Sequence, residues 1–172
     1  MRKVIIFILL FSSLQFLPLY AQKGDLYKGY RGYVDLAVGA AYNLNTAQTI
    51  STNNIQWYTE ISTTHGYVVK NWFVGVGAGY YHSFRDKENI YPFYLAGRYT
   101  FEGTKIKPYI DVRGGMAYDP YWISKVQAYG ALCAGFKVFK GLQVGLRATV
   151  FSRPSRYFTA NASVVIGYAF GK

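Results

Sequence analysis

The last strand-like stretch of the chain, residues 158–170, constrains the fold more than any other feature. Its even positions are all apolar, with aromatic residues at both tips and smaller aliphatic residues between them, whereas its odd positions are small and mostly polar. A period of two indicates a β-strand whose two faces meet different surroundings. Packing against a protein core gives no reason to gather aromatic rings at both tips of one face. A bilayer does, because aromatic side chains favour its two interfaces and aliphatic side chains favour its hydrocarbon.

The same alternation recurs along the chain and predicts an all-β fold. Tight turns such as Lys70–Asn71 alternate with longer polar loops, and we call the corresponding ends of the fold the turn end and the loop end. The predicted fold class is an eight-stranded, antiparallel, up-and-down transmembrane β-barrel with a polar, packed interior. Its predicted strands are residues 30–44, 54–68, 72–84, 90–102, 106–118, 126–138, 142–152 and 158–170.

Charged residues sort onto one face of these strands. The outward faces carry no Asp, Glu, Lys or Arg, and the inward faces carry Arg31, Asp35, Glu60, Arg98, Glu102, Lys107, Asp111, Arg113, Lys137 and Arg147. An Arg or Lys on a lipid-facing surface costs about 2–4 kcal/mol at the midplane, so turning every strand over would cost on the order of 20 kcal/mol. A soluble lipocalin-like barrel would show the opposite distribution, with a polar outside and an apolar inside, and is therefore disfavoured.

The amino terminus has the features of a secretory signal peptide over residues 1–21. Arg2 and Lys3 precede a short apolar stretch, and Ala21 is a small residue at a plausible cleavage point. The apolar stretch is too short to span a membrane as a helix. We therefore expect residues 22–28 to form a short periplasmic segment and residues 29–172 to form the outer-membrane barrel.

Charge and cysteine content exclude several classes of function. Cys133 is the only cysteine, so the chain can form no intramolecular disulfide and no cysteine-based metal site. The formal net charge of +11 could indicate a nucleic-acid partner, but the expected export and the absence of a basic stripe argue against nucleic acid. Anionic lipid head groups are the more natural partner. No cofactor and no metal site are expected, because His65 and His82 are too far apart in the pattern to form a metal pair.

With its alternating strands and aromatic rims, the chain resembles the small eight-stranded outer-membrane barrels of Gram-negative bacteria, the OmpA, OmpX and OmpW type. Such barrels usually end in an aromatic residue that the assembly machinery reads, and Tyr168 and Phe170 look like that signal, although Gly171 and Lys172 follow it. The resemblance implies an outer-membrane location and insertion by the barrel-assembly machinery. We also expect the protein to be a monomer. It does not determine a function, since proteins of one fold serve many roles.

The charges nearest the middle of the strands form the main candidate site. We predict a lumen charge cluster of Asp35, Glu60, Arg98, Asp111, Arg113 and Arg147. Eight strands leave an interior just wide enough for side chains to fill, and buried charges must pair, so a salt-bridged plug is the favoured interpretation. A narrow path for small or hydrophobic solutes through the same cluster is the alternative.

Other motifs carry weaker predictions. Basic residues in the loops could contact the phosphates of lipopolysaccharide: Arg85, Lys87, Lys125, Arg153 and Arg156. Gly75, Gly77 and Gly79 precede no helix, so they are expected to make room for large inward neighbours rather than to bind phosphate. His82 and Ser83 are the only candidate base and nucleophile. They are adjacent and therefore point to opposite faces, whereas the lipid-deacylating barrels that they resemble weakly place His and Ser on one face.

From these features we predict an outer-membrane protein with a structural or interaction role and no catalytic residues. A narrow solute channel is the second hypothesis, and a lipid-modifying enzyme of the outer membrane is the third.

Overall fold

The computed structural model describes residues 28–44, 55–85, 87–102, 106–120, 126–139, 141–152 and 158–171. These residues form strands and connections only, and none of them belongs to a helix long and apolar enough to cross a membrane. The strands are β1 Lys28–Leu44, β2 Ile55–Val69, β3 Trp72–Ser83, β4 Asn89–Thr100, β5 Lys107–Tyr118, β6 Val126–Phe139, β7 Leu142–Ser152 and β8 Phe158–Phe170. The predicted signal peptide, residues 1–21, lies outside the described residues.

The eight strands pair in sequence order and close into a barrel. All the pairings are antiparallel, and β1 meets β8 along a register that runs from Gly32 opposite Phe170 to Leu44 opposite Phe158. Closure leaves no strand with an unpaired edge. The β3–β4 pairing is interrupted at Gly79 and Tyr80, near Pro92, which has no N–H to donate, and the β6–β7 register shifts between Lys137 and Phe139. The predicted fold class is confirmed.

Two strand ends differ from the prediction by two residues, and each difference has a local reason. β1 begins at Lys28 rather than at residue 30, because Lys28 continues the ladder opposite Val69. β4 ends at Thr100 rather than at Glu102. Phe101 still donates its N–H to the Pro108 carbonyl at 2.9 Å, but Pro108 has no N–H with which to return a bond, so regular pairing stops there.

Side-chain exposure follows the predicted alternation. Outward Val74, Leu95 and Leu146 are each 68% exposed, whereas their inward neighbours Phe73 and Tyr94 are almost fully buried. Aromatic residues gather at the two rims of the outward surface. At the turn end, Trp72 packs against Tyr99 with ring centroids 4.8 Å apart, and at the loop end Tyr80 packs against Tyr91 at 5.6 Å.

Large aromatic side chains pack together in the loop-end half of the interior. Tyr58 stacks on Tyr81 at 4.6 Å, and Tyr81 meets Phe151 edge to face at 5.4 Å. Phe151 then contacts Tyr129 at 5.4 Å, and Tyr129 stacks on Tyr94 at 5.5 Å. These five residues form one continuous aromatic cluster. The cluster supports a packed interior rather than an open pore.

The glycines of β3 lie beside bulky neighbours, in agreement with the sequence-based expectation. A Cβ atom at Gly77 would overlap the Tyr94 ring and would lie 2.7 Å from the Thr63 carbonyl oxygen. At Gly75 it would lie 2.6 Å from the Phe73 ring, and at Gly79 it would lie 3.1 Å from the Pro92 ring. The missing side chains therefore leave space for the rings around them.

We expect Gly77→Ala to destabilise the barrel by about 1–3 kcal/mol, because the added methyl group over-packs a filled interior. Gly114→Ala is the matched control, since a Cβ at this outward position meets nothing within 4 Å. The measurement is the free energy of unfolding in urea, followed by tryptophan fluorescence. Equal stabilities of the two variants would contradict the tight packing at Gly77.

Candidate functional site: a buried ion-pair network

The six residues of the predicted lumen cluster meet in the barrel interior. They come from five strands that alternate inward and outward, so each side chain points to the lumen because of its position in its strand. Each is no more than 2% exposed: Asp35 on β1, Glu60 on β2, Arg98 on β4, Asp111 and Arg113 on β5, and Arg147 on β7. Three carboxylates therefore face three guanidinium groups, and the cluster is formally neutral.

Asp35 lies at the centre of this ion-pair network. Its Oδ2 accepts one hydrogen bond from Arg113 Nη2 and a second one, at 2.9 Å, from Arg147 Nη2. Its Oδ1 accepts from Gln143 Nε2 at 2.9 Å. Gly167 lies directly opposite Asp35 in the β1–β8 ladder, and a Cβ there would collide with Asp35 Oδ1. A glycine at this position therefore makes room for the central carboxylate.

The network extends from Asp35 around a closed ring. Arg113 Nε donates to Asp111 Oδ1 at 2.7 Å, and Arg98 Nε donates to Asp111 Oδ2 at 2.9 Å. Arg98 Nη1 then donates to Gln143 Oε1 at 2.7 Å, which leads back to Asp35. Because each member is held by at least two others, the ring fixes the orientation of all its side chains.

A branch connects the ring to Glu60. Arg147 Nη1 donates to Glu60 Oε1 at 2.8 Å while its Nη2 holds Asp35. The two contacts bridge β2, β7 and β1 across the lumen. The ion pairs thus cross the interior rather than following one wall.

Aromatic and hydroxyl groups complete the coordination of two arginines. The Arg98 guanidinium lies between two rings, 3.9 Å from the Tyr33 centroid and 4.5 Å from the Tyr109 centroid. Arg113 Nη1 donates to Tyr94 Oη at 3.0 Å and to Ser62 Oγ at 3.2 Å. These partners were not predicted from the sequence. The sequence shows only that these side chains point inward, and this does not predict which of them contact each other.

The ion-pair network closes the barrel interior near the middle of the strands. Each guanidinium contacts a carboxylate, and the aromatic cluster packs on the loop-end side of the network. Charge-assisted hydrogen bonds of this kind are strong, and an unpaired buried charge costs several kcal/mol, so the side chains are held together. The geometry is that of a plug.

The predicted lipid-contact residues are only partly described. Arg85 and Lys87 are exposed in the β3–β4 connection at the loop end. Lys125, Arg153 and Arg156 lie outside the described residues. The proposed assembly signal lies at the turn end of β8, where Tyr168 is 54% exposed on the outward surface and the Phe170 ring approaches the backbone of Gly32.

His82 and Ser83 do not contact each other. His82 Nδ1 is hydrogen-bonded to Asn89 Oδ1 at 2.8 Å on the outward side, whereas buried Ser83 donates to Gln56 Oε1 at 3.3 Å. They belong to opposite faces, as predicted from their adjacency. Within the described ranges, no group of three or more His, Cys, Asp and Glu side chains is placed to hold a metal ion.

Cys133 is buried on the inward face of β6, as predicted. Its Sγ lies 3.7 Å from Tyr109 Oη, one of the two phenol groups that enclose Arg98. The thiol therefore fills space in the core of the barrel.

Comparison with known proteins identifies similar folds. Neither a protein-family model nor a curated protein matches the sequence. Among solved structures, the outer membrane enzyme PagL is similar with a TM-score of 0.62 at 19% identity, over 79% of this chain and 98% of PagL. Neisserial surface protein A is similar with a TM-score of 0.55 at 14% identity, over 82% of this chain and 97% of that protein. At these identities the likeness shows the fold, which is that of small outer-membrane β-barrels.

We expect Asp35→Ala to lower the free energy of unfolding by about 3–5 kcal/mol, because it leaves the buried Arg113 and Arg147 without their shared carboxylate. Glu102→Ala is the matched control: this exposed carboxylate should change stability by no more than about 0.5 kcal/mol. Urea unfolding of both variants in the same lipid measures the difference. A small effect for both would show that the network does not stabilise the barrel.

Proposed function

We propose that this chain is an integral protein of the bacterial outer membrane. The observation that carries the proposal is the outward surface, where aliphatic side chains cover most of the middle of the closed barrel, Thr63 and His65 on β2 being exceptions, and aromatic side chains form both rims. Among the described residues, the one charged side chain on the outward alternation is Lys28, which lies at the very start of β1 and so at the edge of the apolar band. This distribution fits a membrane and not water.

Within the envelope we propose a structural or interaction role. The ion-pair network supports it, because a lumen closed by paired side chains has no path for solutes. The separation of His82 from Ser83 supports a role without catalysis. PagL is an enzyme, but its likeness to this chain is one of fold, and fold alone does not transfer an activity.

The proposed partners follow from the two ends of the barrel. Exposed Arg85 and Lys87 offer positive charge at the loop end, where lipopolysaccharide phosphates would lie. Tyr168 and Phe170 offer the aromatic carboxy-terminal segment that barrel-assembly machinery reads. The same proposal includes a monomeric state, export by a signal peptide over residues 1–21, and membership of the OmpA, OmpX and OmpW type.

Folding into lipid vesicles tests the membrane location. We expect wild-type protein to stay folded in SDS until boiled and then to change its gel mobility. Leu95→Arg, at the middle of β4, should lose about 2–4 kcal/mol of stability, because the charge would lie in hydrocarbon. Ile106→Arg, before the start of β5, is the matched control and should lose about 1 kcal/mol or less.

Recovery of the wild-type protein in the soluble periplasmic fraction, without a mobility shift, would overturn the proposal. Equal tolerance of arginine at both positions would contradict the assignment of the outward surface to lipid.

Electrical recording across a planar bilayer tests the plug against the channel. We expect wild-type protein to show no stepwise conductance, and Arg113→Ala and Arg147→Ala to admit a measurable leak as the network opens. Arg85→Ala is the control, because this residue lies at the loop end and not in the lumen. Stepwise conductance by the wild type that is unchanged in both lumen variants would support the channel instead.

A further inference from the structure

A cavity of about 360 Å³ lies between the ion-pair network and the turn end. The inner part of the cavity is lined by the residues that hold the Arg98 side chain, which are Tyr33, Tyr109 and Gln143. The Lys70–Asn71 turn lines its mouth. Its charged lining residues are Arg31, Lys70, Arg98, Lys107, Lys137 and Glu102. We call this space the basic vestibule. Its volume is within the range of small-molecule sites.

Positive charges in the vestibule face one another. Lys107 lies directly opposite Lys137 in the β5–β6 ladder, where like charges are normally destabilising. Among the described residues, the charged groups close enough to act on Lys137 are Arg31, Lys107 and Arg98, and all three are cationic. The fold therefore brings together side chains that repel one another in the absence of an anion.

Ion pairs within the described part of the chain do not balance these charges. Arg98 is neutralised by Asp111, but none of the ion pairs found among the described residues includes Arg31, Lys70, Lys107 or Lys137. The Arg31 Nε is buried and has no hydrogen-bond partner there. Glu102, the acidic residue of the lining, is exposed, and its Oε1 lies at 3.5 Å from the Asn71 amide.

The ion-pair network closes the inner end of the vestibule, so a ligand could bind there but could not cross the barrel. Arg98 forms its floor and is immobilised by Asp111 at 2.9 Å and by Gln143 at 2.7 Å, between the two tyrosine rings. An anion that enters from the turn end therefore meets a closed wall. It also meets the guanidinium group of Arg31, whose fork suits phosphate oxygens, and lysine side chains, which supply point charge.

We propose that the basic vestibule is a binding site for a small multivalent anion of the phosphate class. Among the described residues of its lining, four cations without an ion-pair partner, Arg31, Lys70, Lys107 and Lys137, stand against one carboxylate, that of Glu102. This excess of positive charge suits a ligand with several negative charges, such as a diphosphate. The same chemistry is presented by a soluble phosphorylated compound and by a phosphorylated lipid head group. The inference rests on the geometry of the turn end and not on the envelope role proposed above, so either can fail alone.

Calorimetric titration of the full-length protein with pyrophosphate, in phosphatidylcholine vesicles, tests the site. We expect saturable binding by the wild type and a loss of affinity of at least about tenfold in Lys107→Gln and in Lys137→Gln, since each removes one charge from the lining. Lys28→Gln is the matched control, because it makes the same change at an exposed position outside the vestibule and should leave affinity unaltered. Gel mobility before and after boiling verifies that each variant is folded.

The source of the anion is distinguished by repeating the titration in vesicles that contain anionic phospholipid, at about 0.15 M salt so that bilayer charge is screened beyond about 8 Å. Competition by the lipid identifies a head group as the occupant, and undiminished binding identifies a soluble phosphate compound. Absence of saturable binding, or equal weakening by Lys28→Gln, would overturn the proposal, since either result means that the protein's net charge alone attracts the anion.

Discussion

The pairing of charges inside the barrel is the interaction on which the rest of the structure depends. Asp35 joins Arg113 and Arg147, residues that are 78 and 112 positions away in the chain, and it can do so only when the barrel is closed. Closure in turn is tolerated only when these charges are paired, because an unpaired buried charge costs several kcal/mol. The ladder of backbone hydrogen bonds and the ion-pair network therefore stabilise the same state.

The interior is divided into three levels along the barrel axis. The aromatic cluster lies in the loop-end half together with buried polar side chains such as Gln127 and Asn161, the ion-pair network occupies the middle, and the basic vestibule lies at the turn end. On the outward surface, the described residues place no Asp, Glu, Lys or Arg in the middle of the strands, and the polar side chains there are uncharged or weakly basic, such as Thr63 and His65 on β2. This contrast follows from the two environments: lipid disfavours charged side chains, whereas the lumen can combine apolar packing, paired charge and an excess of positive charge within one set of strands.

The fold and the outward surface do not by themselves determine the role of this chain, as PagL and Neisserial surface protein A illustrate. One of these proteins is an enzyme and the other is described as a surface protein, although both have folds similar to this chain. A barrel with this outward surface is compatible with either kind of role. The interior of this chain holds a neutral ion-pair network and, beside it, an excess of positive charge among the described residues.

The sequence by itself determined the strands, their faces and the members of the charged cluster. Every strand boundary predicted from the alternation lies within two residues of the observed one, because a period of two is a local property of each strand. The partners were decided only by the tertiary structure. The bridging role of Gln143, the two rings around Arg98 and the opposition of Lys107 to Lys137 depend on the register between strands and on contacts across the lumen. The alternation predicts which face of the sheet a side chain occupies, but it does not predict which side chain lies opposite on a neighbouring strand or across the lumen.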